Sequence, residues 1–206
     1  CLALAALLGG PGAFSAPAAS PSGAFCVSPW YVSLEERLKP LMDLIARGEG
    51  DYNAVNRGRA GDTPGGMGGL TDKAFDQFTV QQVIEMQASW LYAVGRYQFI
   101  PETLRFAVSM SSVGMKDRFD SETQDKLMAA LILYKRPAIG AYLRGDHDYI
   151  GWALDELAKE WASVEYRQGR GFYDHIGGNR AHVTRQEAWE VLQTIKGSWQ
   201  ASVLVP

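Results

Sequence analysis

From Ser33 onward, apolar residues recur at helical spacing. "SLEERLKPLMDLIARGEG" begins with Ser33 and Glu36 at capping-box spacing and then places Leu41, Ile45 and Glu49 at i, i+4 and i+8. The spacing predicts an amphipathic helix whose buried stripe ends in a carboxylate. Pro40 either kinks this helix or starts a second one as its first residue, and glycine stops it. "TVQQVIEMQASWLYAV" opens with a second capping box, Thr79 and Gln82, and sets Val80, Val83, Ile84 and Met86 among polar residues. In "GRYQFIPETLRFAVSM", Gly95 breaks the pattern and Pro101 starts the next helix. A third capping box, Ser121 and Gln124, opens "SETQDKLMAALILYKR", whose centre is apolar on nearly every side and predicts a buried central helix. "DYIGWALDELAKEWASV" and "TRQEAWEVLQTIKGSWQAS" bring the sum to about six or seven helices. "GRAGDTPGGMGG", Gly58 to Gly69, is too glycine-rich for regular structure and reads as a long mobile loop. No stretch alternates like a strand, although Asp51 to Phe78 leaves room for a short β-hairpin beside a cleft. The fold class is mainly α (α+β).

The first residues change the picture of domain organisation. Leu2 to Leu8 form a short apolar run, Gly9, Gly10 and Pro11 break it, and Ala16 and Ala18 give a small-residue cleavage pattern. This predicts a secretory signal remnant over residues 1–18, a Pro/Ser/Gly-rich linker over 19–32, one domain over 33–200 and a tail over 201–206. The apolar run is too short to span a bilayer, and no later one is apolar enough, so an exported, periplasmic or extracellular protein without an integral membrane segment is expected. Cys1 falls in the signal and Cys26 just after it, so processing leaves a lone thiol.

Composition then narrows the chemistry. With 206 residues and 47% hydrophobic content, one domain with a real core is the natural solution. Twenty basic and 23 acidic residues are interspersed, for a formal net charge of −3, so no nucleic-acid partner is expected. The three histidines stand apart without metal-ligand spacing, "GDHD" reads as a helix-starting turn, and "GGMGG" lacks the lysine of a phosphate loop. No metal or other cofactor is expected, and no nucleophilic serine or cysteine elbow is present.

What remains is carboxylate chemistry. Glu49, at the end of an apolar stripe and near the negative end of a helix dipole, should have a raised pKa. A glutamic acid still protonated near neutral pH can donate a proton to a leaving oxygen, as the acid does in glycoside cleavage. Gly48 and Gly50 would leave room for a bulky substrate at the carboxyl. On the pattern alone, a glutamate that merely ends a helix and points into solvent is the favoured reading.

"ARGEGDYNAVNRG", "AVGRYQFIPETL", "FDSETQDKLMAALI" and "ELAKEWASV" followed by "GRGFYD" stand in the order found in the phage lambda lysozyme family of muramidases, which the chain resembles from about Leu38 to Ile195. "GRYQ", followed by an apolar residue, proline and a hydroxyl residue, also resembles a motif of the wider lytic transglycosylase group. The resemblance implies a lysozyme-like fold and cleavage of the β-1,4 bond between N-acetylmuramic acid and N-acetylglucosamine in peptidoglycan glycan strands. By position, it implies Glu49 as the catalytic acid, Gly95, Arg96, Tyr97 and Gln98 as cleft-lining residues, and Trp161, Ala162 and Ser163 as a segment on the far side.

The residues themselves leave several roles open. Arg96 suits an ion pair as well as a ligand, and Trp161 suits the core as well as a stacking platform for a sugar. Gln98 could bind an N-acetyl group or hold Glu49 in place. A hydrolase needs a second carboxylate, for which Asp62 and Asp72 in or near the glycine-rich loop are the candidates. With one acid, the resemblance implies a lytic transglycosylase that closes the muramic C6 hydroxyl onto C1. A non-catalytic glycan-binding protein on the same scaffold is the alternative outside enzymes.

Overall fold

The computed structural model describes residues 32–175 and 180–203. The expected signal, linker and both cysteines lie outside them. The described residues fold as a mainly helical α+β domain: helices α1 (Leu34–Glu49), α2 (Gly66–Thr71), α3 (Val80–Gln87), α4 (Pro101–Ser109), α5 (Ser121–Ala130), α6 (Pro137–Arg144), α7 (Ile150–Glu160) and α8 (Arg185–Val203), with two small antiparallel sheets. Among the described residues, no helix is long and apolar enough to cross a membrane.

Local signals account for the helix starts. Ser33 and Glu36 form both halves of a capping box at α1, and Thr79 and Gln82 do the same at α3. Pro40 neither ends α1 nor begins a new helix, because α1 is continuous through it. Leu38, Leu41, Met42 and Ile45 of α1 are buried at i, i+3, i+4 and i+7, and this stripe packs against α5 and α8. Each such side chain contributes about 1.5–3 kcal/mol by leaving water.

The third cap differs from expectation. Asp120, not Ser121, caps α5 by accepting from the Thr123 backbone N–H. This leaves the Gln124 side chain to bond elsewhere. Fully buried, its amide donates to the carbonyls of Tyr52 and Phe119 and accepts from the Arg96 N–H. The centre of the molecule is the expected buried helix, since every residue from Leu127 to Leu133 is buried. It passes into a π-helical turn over Leu131–Lys135, marked by the Arg136 N–H reaching the Leu131 carbonyl, before Pro137 starts α6.

Three further expectations need correction. The glycine-rich stretch is not without regular structure, for a short helical turn forms over Gly58–Ala60 and α2 begins at Gly66. Met67 anchors it: its side chain is buried and its N–H donates to the Asn53 carbonyl. The strand pair beside the cleft is only in part a local hairpin within 51–78, where Asn56 and Asp62 form a single antiparallel bridge. Strand β1 (Val55–Asn56) pairs with β2 (Ala93–Val94), far along the chain. A true hairpin lies elsewhere, joining β3 (Glu165–Arg167) to β4 (Arg170–Gly171) through Gln168 and Gly169, both at positive φ. Finally, α8 runs to Val203, into the stretch expected to be tail.

Candidate active site

Glu49 is the last residue of α1, and the buried stripe delivers its carboxyl to a cleft of about 550 Å³. One wall comes from the β1–β2 pair and the turn after it, with Asn56, Tyr92, Tyr97 and Gln98. A further part of the lining comes from the π-helical turn and the end of α7, with Lys135, Arg136, Glu160 and Trp161. The cleft is open and lined mostly by polar groups, which suits an extended, hydroxyl-rich ligand.

The half-buried carboxyl of Glu49 accepts a hydrogen bond from the Ser163 hydroxyl at 2.6 Å. Ser163 is itself buried and fixed, because its carbonyl accepts from the backbone N–H groups of both His182 and Val183, at 2.7 and 2.9 Å. Burial raises the pKa of Glu49 above the ordinary glutamate value. Hydrogen bonds from the Ser163 hydroxyl and N–H, and the nearby His182, favour the charged form and restrain that rise, while Asp62 adds to it. The result is an acid whose proton is retained to higher pH but whose anion has prepared donors. Such a group can give a proton and take one back.

Gly48 lines the cleft beside Glu49, and both glycines also lie against the protein's own chain. A Cβ on Gly48 would stand 2.4 Å from the Ser163 Cβ, and one on Gly50 would stand 2.6 Å from the Ala54 Cβ. The glycines make room for the protein's own chain at the carboxyl. Gly48 lets Ser163 reach Glu49.

The other expected site residues divide. Tyr97, Gln98 and Trp161 line the cleft together with Glu49. Trp161 is also almost fully buried, so it is core and wall at once. Tyr97 is almost fully buried and its hydroxyl donates to Asp125 at 2.6 Å; burial with this carboxylate partner pushes its pKa far up. Gln98 makes no bond to Glu49; its amide donates to the Gly95 carbonyl at 2.9 Å, from a backbone at φ 47°. A non-glycine residue in this region costs about 1–2 kcal/mol, so surrounding contacts hold it there.

Gly95 and Arg96 are not among the residues lining the cleft. Gly95, at φ 75°, has no space for a side chain because the Gln124 amide occupies it. Arg96 donates to Asp43 at 2.7 Å and to the Tyr52 hydroxyl at 2.9 Å, and its guanidinium lies 5.0 Å from the centre of the Tyr52 ring. This is a structural clamp. Of the two candidate second carboxylates, Asp62 lines the cleft and accepts from the Asn56 amide at 2.7 Å, whereas Asp72 caps the end of α2 on the exposed surface outside it.

Sequence reasoning did not single out the basic pair that follows the central helix. Lys135 donates to Glu160 and to the Thr103 hydroxyl, and Arg136 donates to Glu160 at 2.7 Å and Glu156 at 2.9 Å. Glu160 is thereby a nearly buried carboxylate with two cationic partners. The signal was the break "YKRP" at the end of an apolar helix, where the chain must turn and expose polar side chains. Among the described residues, no group of three histidine, cysteine or acidic side chains could hold a metal ion. No family model, no curated protein and no solved structure matches the chain.

Proposed function

We propose that this chain is an exported enzyme with a lysozyme-like fold that cleaves the β-1,4 bond between N-acetylmuramic acid and N-acetylglucosamine in peptidoglycan. The observation that carries the reading is the half-buried Glu49 carboxyl, raised in pKa and held by Ser163, in an open polar cleft. Protonated Glu49 donates its proton to the glycosidic oxygen as the bond to C1 breaks, and the leaving sugar departs as an alcohol. In the lytic transglycosylase form of the reaction, the muramic C6 hydroxyl then bonds to C1 and gives its proton to the Glu49 carboxylate. Glu49 thus returns to its protonated form within one turnover, and the product carries a 1,6-anhydro end. The attacking hydroxyl belongs to the substrate, so its high effective concentration replaces activation by a second protein group.

A hydrolytic muramidase is the second reading, because Asp62 faces the same cleft, oriented by Asn56. Mass analysis of muropeptides released from purified peptidoglycan separates the two. Anhydro-muramic ends support the transglycosylase, reducing ends support the hydrolase, and no release from the wild type overturns both.

A further inference from the structure

Beyond the Arg136 wall, α7 and the turn before it carry two aromatic side chains that packing does not explain. Trp152 is 57% exposed and Tyr149 is 61% exposed. Trp152 is nevertheless held in a definite orientation by two T-shaped ring contacts, with Tyr149 at 5.4 Å and 83° and with His147 at 5.4 Å and 70°. Gly151 permits this, since a Cβ there would stand 2.7–2.9 Å from atoms of the Tyr149 side chain. The indole borders a depression of about 370 Å³ shared with Pro137, Asp155, Glu156 and Lys159.

This depression adjoins the cleft. Lys159 lines both, and Glu156, on the rim of the second, is paired with Arg136 in the wall of the first. Residues 152, 156 and 159 share one face of α7, along a rise of roughly 10 Å from Trp152 to Lys159. An aromatic face beside a carboxylate and an ammonium has the composition that binds a pyranose: apolar C–H groups of the sugar lie on the ring while its hydroxyl and amide groups reach the charged rim. A protein-docking patch would instead present a broader apolar surface with its charges at the margin.

We infer that the glycan groove runs past the cleft, across Lys159, to a platform at Trp152, where a sugar ring of the same strand stacks on the indole. This rests on the reading of the cleft as a glycan site. The platform makes longer strands bind better than strands that fill the cleft alone.

The test uses the full chain carrying Glu49→Gln, with N-acetylglucosamine oligomers of increasing length as probes and affinity measured by calorimetry. Affinity should rise with length, and Trp152→Ala should remove the gain for the longest oligomers, about five- to tenfold, while Trp152→Tyr restores most of it. Equal affinity of Trp152→Ala and its parent for every length overturns the platform, and does so without touching the cleft if short oligomers still bind. A loss on short and long oligomers alike also overturns it. Binding of no oligomer at all overturns the platform and the glycan reading together. A concentration-dependent dimer in sedimentation that Trp152→Ala dissociates overturns it in favour of self-association.

Discussion

Substituting Gly48 by alanine sets helix propensity against packing, and the structure decides the sign. In the last turn of α1 the change should by propensity alone stabilise by up to about 1 kcal/mol. The added Cβ, however, would stand 2.4 Å from the Ser163 Cβ and 3.0 Å from its Oγ. The Cβ cannot rotate away, since it is fixed by its backbone, and the Ser163 backbone is pinned by the His182 and Val183 N–H groups. Overpacking of this kind costs about 1–3 kcal/mol, and displacement of Ser163 also removes its bond to Glu49, worth about 0.5–1.5 kcal/mol. The balance is a net destabilisation of about 2 kcal/mol, or roughly 4–8 °C in Tm for a domain of this size. Calorimetric melting of Gly48→Ala in the wild type and in a Ser163→Gly background measures it. In the second background the steric partner is gone, so the same alanine should be neutral or stabilising. A stabilised Gly48→Ala single variant, or an equal penalty in both backgrounds, would refute the reasoning.

Two other perturbations follow from the same contacts. Because burial raises the folded-state pKa of Glu49 above its unfolded value of 4.5, the native state binds the proton more tightly than the unfolded chain. Stability from this group is therefore fully present below the unfolded pKa and is lost as pH rises toward the folded one. Glu49→Gln should gain Tm over the wild type as pH rises above 4.5, and a gap that narrows with rising pH would contradict the burial. Gln124→Leu leaves the Tyr52 and Phe119 carbonyls and the Arg96 N–H without their buried partner. It should lose about 3 kcal/mol in urea unfolding, and a loss below about 1 kcal/mol would show that other groups take over these bonds.

What could be read from the chain was local. The capping boxes at Ser33 and Thr79 are contained within four residues, and the apolar run through Leu131 leaves a helix no exposed face, so both were legible. Ser121 and Gln124 have the same spacing as a cap, but Gln124 is claimed by partners at Tyr52 and Arg96. Spacing cannot distinguish the two fates of a glutamine. The β1–β2 pair has two residues on each side and joins segments more than thirty positions apart, too little for any periodicity to reveal. Glu49 stands out because it extends an apolar stripe. Its partner Ser163 lies 114 residues away, and only the fold brings them together. The glycines beside Glu49 signal clearance, but a sequence does not say whether substrate or the protein's own chain fills the space. Arg96 was legible as a cation suited to an ion pair, and its choice of Asp43 over the cleft depended on tertiary placement.

In the proposed function, Glu49 is the acid that breaks a glycosidic bond in the cleft. The most direct measurement of this role is the rate of muropeptide release from purified peptidoglycan by the wild type and by Glu49→Gln, both verified as folded. In the variant the rate should fall by at least about a hundredfold, the contribution of a positioned general acid. Release by Glu49→Gln at the wild-type rate would contradict it.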